Sequence, residues 1–168
     1  MFEAYLAEQG YPAPDHEPDL GTTKRPDYVI ERDGQRCVVE VKQFAAGTRS
    51  FPDQRAGTTS VEAVLKPIRS QLREAARQLK DVADLGLPLV AVLTNPLHAT
   101  VILGEREMVW AMYGDPVVVM DIDPRVGGAV GEARQEVGRN GRLARDHQYI
   151  SAVAISVTAS ALPTGMTR

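Results

Sequence analysis

The stretch "RPDYVIERDGQRCVVEVKQF", residues 25–44, decides the fold of this chain. It contains two strand-like runs, 27–32 and 35–43, separated by the dipeptide Asp33-Gly34. This dipeptide is favoured in two-residue hairpin turns because both of its positions tolerate positive φ. The sequence therefore predicts a β-hairpin over these residues.

The two-residue turn also predicts the register of the hairpin. If Arg32 pairs with Gln35, stepping outward along both strands places Asp27 opposite Glu40. Lys42 projects from the same face as Glu40 because side chains alternate along a strand. Two carboxylates and an amine are thus expected together on one face.

The opposite face of the predicted hairpin is apolar and suited to lie beneath a helix. It receives Tyr28, Ile30, Cys37, Val39 and Val41. Like charges placed directly opposite each other destabilise a strand pair, and buried charge is costly. The acidic face is therefore either exposed to water or retained for a function.

The chemistry of this face suits a divalent metal ion. Two carboxylates at this spacing bind a hard cation, Mg²⁺ by preference or Mn²⁺, and leave coordination positions for water and phosphate. A nearby lysine can orient or deprotonate the attacking water, or offset charge in the transition state. Without metal, repulsion should raise the pKa of at least one of the two carboxyls, Asp27 or Glu40.

Length and composition predict one globular domain over residues 1–168, with 43% hydrophobic and 24% charged residues. No secretory h-region or membrane-length apolar run is present in the sequence, so a cytoplasmic location and no membrane partner are expected. The single cysteine, Cys37, cannot form an intramolecular disulfide and is assigned to the core. The net charge of −3 means that any binding of nucleic acid must come from local basic patches.

Other elements are predicted from periodicity and from start and stop signals. A long helix is expected over 60–85, with Ser60 as its N-cap, Pro67 as a kink or restart and Gly86 as its end. The remaining predictions are a helix at 2–9, a short strand near 16–20, a mobile loop at 45–59, a buried strand at 87–94, short strand or helical pieces at 99–104 and 107–114, a strand at 115–123, a basic glycine- and arginine-rich loop at 124–147, a last strand at 149–157 and a loose tail after 160.

The residues Pro26-Asp27 and Glu40-Val41-Lys42 resemble the motif of the PD-(D/E)XK phosphodiesterases, in the restriction endonuclease-like superfamily. The predicted element order over about residues 2–103 is similar to the α-β-β-β-α-β core of that family. The resemblance implies an α/β fold with a mixed central β-sheet flanked by helices, the core covering about 2–123.

The same resemblance implies roles for individual residues. Asp27 and Glu40 become metal ligands, the Val41 carbonyl a third ligand, and Lys42 the catalytic lysine. Members of the family often take one more acid from the first helix. Candidates for that acid are Glu3 and Glu8, with Glu17 in the lead-in as a further candidate.

The long helix carries a row of basic residues at helical spacing. These are Lys66, Arg69, Arg73, Arg77 and Lys80. The row is either a solvated helix face, relieved by Glu62 and Glu74, or a contact surface for a phosphate backbone leading to the site. Gln71 and Gln78 lie between the basic and apolar rows, and Gln78 is chosen as the polar helix residue that the family sometimes places near the metal.

The function expected from these features is a Mg²⁺-dependent nuclease that hydrolyses phosphodiester bonds in DNA. DNA is preferred over RNA by family analogy alone. The alternatives are a catalytically silent domain of the same fold that binds nucleic acid or protein, and an enzyme for an uncharged substrate or a plain scaffold in which the pattern of Asp27 and Glu40 arises by chance. Endonuclease or exonuclease action and a homodimeric state are left open.

Overall fold

The computed structural model describes residues 2–49, 60–96, 101–138 and 143–157. In chain order the elements are α1 (Phe2–Glu8), β1 (Asp15–His16), β2 (Tyr28–Arg32), β3 (Gln35–Gln43), α2 (Val61–Leu79), a 3₁₀ segment (Lys80–Leu85), β4 (Leu89–Asn95), α3 (Glu105–Tyr113), β5 (Pro116–Asp123), β6 (Gly128–Val137), α4 (Leu143–Asp146) and β7 (Ala152–Val157). Five strands form one sheet in the order β1-β2-β3-β4-β7, and β5 and β6 form a separate pair.

The hairpin of β2 and β3 has the predicted register. Arg32 pairs with Gln35 and Tyr28 pairs with Val39, in antiparallel orientation. The turn residue Asp33 has a φ of 53° and is followed by a glycine that also has positive φ, as a two-residue hairpin turn requires. The local turn chemistry is therefore sufficient to set this register.

The other half of the sheet is parallel. β3 pairs with β4, and β4 pairs with β7, in both cases in parallel. β4 is the buried central strand that the apolar run predicts, as parallel strands covered on both faces usually are. The α/β class with a mixed sheet flanked by helices is confirmed.

α2 begins as predicted but ends at Leu79, and a 3₁₀ segment continues the predicted helical stretch to Leu85. The hydroxyl oxygen of Ser60 accepts a hydrogen bond from the backbone N–H of Ala63 at 3.2 Å, and Gly86 ends the following 3₁₀ segment with a φ of 68°. The helix continues through Pro67 without the predicted restart. Buried side chains on both sides of the proline, Leu65 and Ile68, fix the two parts of the helix to the same core.

α2 packs on the acidic face of the hairpin, which corrects the expectation about the two faces. Val29 and Val38 lie on that face and pack with Ala75 and Leu79 of α2. The opposite face lies beneath the short helix α1, where the rings of Phe2 and Tyr28 are 5.3 Å apart. Both faces are therefore covered, and the acidic face lies under the longer helix.

The region 124–147 is not the predicted loop. Its first part forms β6, which pairs with β5 in antiparallel orientation, and its last part contains α4. β6 is exposed along most of its length, so it lacks the alternation of apolar and polar residues that identifies a half-buried strand. Residues 139–142 lie outside the described part of the chain.

The remaining predictions differ in their bounds. β1 covers only two residues and ends at His16, α3 is the helical form of the second predicted short piece and starts two residues earlier, and β7 starts three residues later than expected. The predictions for 50–59, 97–100 and the tail after 160 fall outside the described residues. Cys37 is half-buried. None of the described helices is both long and apolar enough to cross a membrane.

Candidate active site

The structure brings Asp27, Glu40 and Val41 together at the start of β2. The backbone N–H of Val41 donates to Oδ2 of Asp27 at 2.7 Å, and the backbone N–H of Asp27 donates to Oε2 of Glu40 at 3.3 Å. The Asp27 carboxylate is thus held by the backbone next to Glu40, and the Glu40 carboxylate is held by the backbone of Asp27. The predicted neighbourhood of Asp27 and Glu40 is present, although β2 itself starts one residue later.

Glu40 is completely buried beneath α2, and Lys42 is its ionic partner. Nζ of Lys42 lies 2.8 Å from Oε1 of Glu40, and the Lys42 side chain is only 13% exposed. The partner of Oε1 is thus the Lys42 ammonium, which holds the oxygen through an ion pair at 2.8 Å.

Burial is the main cause of a raised pKa of Glu40, and the nearby carboxylate of Asp27 adds to it. The ammonium of Lys42 and the backbone N–H of Asp27 act in the opposite direction and lower this pKa. The expected raised pKa is therefore present at Glu40. Its largest cause is desolvation under α2, not the expected repulsion between carboxylates.

The donor set fits a divalent ion that keeps water in its coordination shell. In an extended strand the N–H and C=O of one residue point to the same side, so the Val41 carbonyl faces the side of β3 where its N–H meets Asp27. Among the described residues, no three His, Cys, Asp or Glu side chains cluster closely enough to hold a metal. Two carboxylates and one carbonyl still suit Mg²⁺, which commonly completes its shell with water and substrate phosphate.

α2 supplies two more polar side chains on this flank. Oε1 of Glu74 lies 3.8 Å from Nζ of Lys42. Gln78 follows one helical turn later on the same side of the helix, and its side-chain oxygen is buried without a hydrogen-bond partner in the described residues. Lys24 donates to the backbone carbonyl of Arg77 at 3.1 Å, so the lead-in segment passes close to this part of α2.

The sequence alone assigns Glu74 only to the relief of neighbouring positive charges. Its spacing from Gln78 was a usable signal, because residues four apart share one helix face. The proximity of Glu74 to Lys42 depends on the packing of α2 against β3, which the helix sequence does not specify.

The three candidates for an additional acid lie in different places. Glu3 accepts a hydrogen bond from the Tyr28 hydroxyl at 3.1 Å, on the face covered by α1. Burial of the Tyr28 hydroxyl and this contact with Glu3 raise the tyrosine pKa. Glu8 is exposed at the end of α1. The backbone of Glu17 lies next to that of Asp27, because the Glu17 N–H donates to the Asp27 carbonyl at 2.9 Å.

The basic row of α2 is not a uniform surface. Arg69 is only 7% exposed, forms ion pairs with Glu62 and with Asp115 at 2.8 Å, and donates to the Trp110 carbonyl at 3.3 Å. It lies at the edge of the apolar row, where α3 and the start of the β5 segment supply its partners. The expectation that Arg69 contacts phosphate is therefore corrected, because its guanidinium is engaged inside the protein.

Two exposed members of the row, Lys66 and Arg73, lie on the flank of α2 that faces α3 and α4. Lys66 and Arg73 line a cavity of about 330 Å³ together with Ala111 of α3 and Leu143 of α4. Glu74, by contrast, meets Lys42 on the other flank. These two residues therefore do not lie beside the carboxylate pair. A larger cavity, of about 660 Å³, lies near the β2–β3 turn and is also separate from Glu40.

No protein-family model matches this chain, and no curated protein is detectably similar to it.

Proposed function

We propose that this chain is a metal-dependent nuclease with a restriction endonuclease-like fold, which hydrolyses phosphodiester bonds in DNA. The observation that carries the proposal is the completely buried Glu40, held beside Asp27 and 2.8 Å from the Lys42 ammonium. Burial of a carboxylate lowers stability even when an ammonium is its partner. Its presence beside a second carboxylate and an amine is explained by a need for these three groups in catalysis.

In the proposed mechanism, Asp27, Glu40 and the Val41 carbonyl bind Mg²⁺ or Mn²⁺. When bound, such an ion supplies Lewis-acid polarisation of a phosphate oxygen. The Val41 N–H orients the Asp27 carboxylate through its 2.7 Å hydrogen bond. Lys42 orients the attacking water or stabilises the developing negative charge on the phosphate. Gln78 is proposed as the polar helix residue near the metal.

The proposal assigns the nucleic-acid contacts to the exposed basic residues of α2, namely Lys66, Arg73, Arg77 and Lys80. Arg69 is left out because it is buried. A helix with its side chains is only about 10 to 12 Å across. Because α2 is this narrow, a strand of DNA lying across its exposed face would contact this row on one side and place its scissile phosphate near Lys42 on the other. RNA remains an alternative substrate.

Cleavage assays with matched variants test this proposal. Supercoiled, linear and single-stranded DNA and RNA are incubated with the protein in Mg²⁺, Mn²⁺ or EDTA. We expect metal-dependent cleavage of DNA, and a loss of at least about 100-fold in Asp27→Asn, Glu40→Gln and Lys42→Met. Because the three groups act as a unit, the triple variant should be little worse than each single variant.

The control is Glu31→Gln, which removes an exposed carboxylate from the same hairpin and should cleave like the wild type. Wild-type cleavage by Glu40→Gln would contradict the proposed site. DNA binding without cleavage in any metal would instead support the catalytically silent domain of the same fold.

A further inference from the structure

Lys42 lies between two carboxylates in very different environments. Its ammonium is 2.8 Å from Oε1 of the completely buried Glu40 and 3.8 Å from Oε1 of Glu74, which is 51% exposed. These are the two carboxylates within ion-pair distance of Lys42 in the part of the chain that the structure describes. The closer contact is with the residue proposed as a metal ligand.

The ammonium of Lys42 therefore lies at one of the two Glu40 oxygens that would hold a divalent ion. An ion bound at Oε1 would repel this ammonium in the buried site. Binding of the ion at this oxygen would thus displace Lys42 from its present position. The Lys42 side chain is only 13% exposed, so full transfer of its charge to bulk water would require the aliphatic chain to leave its packed position.

Glu74 offers the displaced ammonium another partner without that rearrangement. Its backbone is fixed by α2, because the next residue, Ala75, is completely buried against Val29 and Val38 of the sheet. A shift of Nζ of Lys42 by about one ångström would turn the 3.8 Å separation from Oε1 of Glu74 into a direct salt bridge.

We propose that Glu74 is a positioning residue that takes over the Lys42 ammonium when the metal ion takes Glu40. This inference rests on the proposed metal site. It assigns to Glu74 a role in metal affinity and in the orientation of Lys42, without direct contact with the ion.

The test is calorimetric titration of the full chain with Mn²⁺ in the absence of nucleic acid. Glu74→Gln should weaken Mn²⁺ binding by about 10-fold, a usual size for the loss of a residue that supports a metal ligand through another group. Glu74→Asp keeps the charge and should recover part of the affinity. The matched control is Glu62→Gln, on the same helix, 58% exposed and also paired with a cation, but on the opposite flank; it should bind Mn²⁺ like the wild type.

A variant that lacks the Lys42 ammonium shows whether Glu74 positions Lys42 or coordinates the ion directly. Lys42→Met removes the competing ammonium, so it should bind Mn²⁺ at least as tightly as the wild type. Adding Glu74→Gln to this variant should change nothing further. Melting curves in EDTA establish that each variant is folded, and the comparison of Glu74→Gln with wild type remains decisive if Lys42→Met does not fold.

Three outcomes are distinguishable. Equal Mn²⁺ affinity of Glu74→Gln and wild type overturns the role of Glu74 and leaves the nuclease proposal intact. An equal loss in the presence and absence of Lys42 shows that Glu74 acts on the ion directly, which also overturns the positioning role. If the wild type binds no Mn²⁺, the proposed metal site fails and this inference fails with it.

Discussion

Glu40 is a carboxylate in the protein interior with few polar neighbours. The Asp27 N–H and the Lys42 ammonium partly replace the water that Glu40 loses on folding. The replacement is incomplete, because burial still raises the pKa of Glu40 above its usual value. In the absence of metal, the ionised form of this residue therefore opposes folding.

The free energy of unfolding should reveal this cost as a dependence on pH. In the unfolded chain a glutamate has a pKa of about 4.3, whereas the pKa of folded Glu40 is raised, so Glu40 keeps its proton to higher pH. Between these two values the native state binds more protons, so rising pH destabilises it, and the loss is complete above the folded pKa. Urea titrations in EDTA should show the wild type losing stability relative to Glu40→Gln as the pH rises from about 4.3. A difference independent of pH would contradict the raised pKa.

At the scale of the element, α2 combines three kinds of surface on one helix. One row enters the core between the sheet and α3, the exposed basic residues form a second row, and Glu74 faces Lys42 on the remaining flank. Arg69 belongs to the basic row by spacing but to the core by burial, since it contacts Asp115 and the Trp110 carbonyl. Helical periodicity identifies the rows without identifying what each row contacts.

Two substitutions on α2 should therefore differ in their effects. Arg69→Gln removes the contacts that the buried guanidinium makes with Glu62, Asp115 and the Trp110 carbonyl and should cost about 3 kcal/mol of stability, whereas Arg73→Gln removes an exposed charge and should cost less than about 0.5 kcal/mol. If Arg73 contacts phosphate, its substitution should reduce the slope of log K against log salt by about one unit. Urea unfolding and DNA binding at several salt concentrations measure both effects. A stable Arg69→Gln with a reduced salt slope would contradict this division.

At the scale of the whole molecule, the β5–β6 hairpin differs from the five-stranded sheet. The two strands pair with each other and not with that sheet, and several of their apolar side chains are exposed, including Val118 and Ile122. The base of the hairpin is narrow. The Gly138 N–H donates to the Asp115 carbonyl at 2.7 Å, and a Cβ on Gly114 would lie 2.1 Å from the Gly138 carbonyl oxygen.

Removal of this hairpin should leave the rest of the chain folded. Pro116 and Val137 are paired across its base, so a linker of about three glycine and serine residues can replace 117–136 across a gap of about 5 Å. We expect the shortened chain to unfold cooperatively, and to aggregate less because exposed apolar side chains are removed. Circular dichroism during urea unfolding measures this. Loss of cooperative unfolding would show that the hairpin belongs to the same folding unit, as a single domain over the whole chain predicts.

The sequence by itself determined those features that depend on neighbours along the chain. The Asp33-Gly34 turn sets the register that brings Asp27 towards Glu40, and Ser60 and Gly86 set the start of α2 and the end of its 3₁₀ extension, because turns and caps use contacts over two to four residues. The β6 strand escaped prediction since an exposed strand carries little pattern in its sequence.

Tertiary structure alone decided which face of the hairpin α2 covers, and therefore the burial of Glu40. It also decided that Arg69 meets Asp115, 46 residues away in the chain, and that Glu74 meets Lys42. Both faces of the hairpin carry enough apolar side chains to pack beneath a helix, so the choice between them depends on the fit of α2 with β4, β7 and α3. Contacts between residues so distant in sequence leave no local pattern, because each partner is supplied by a different element.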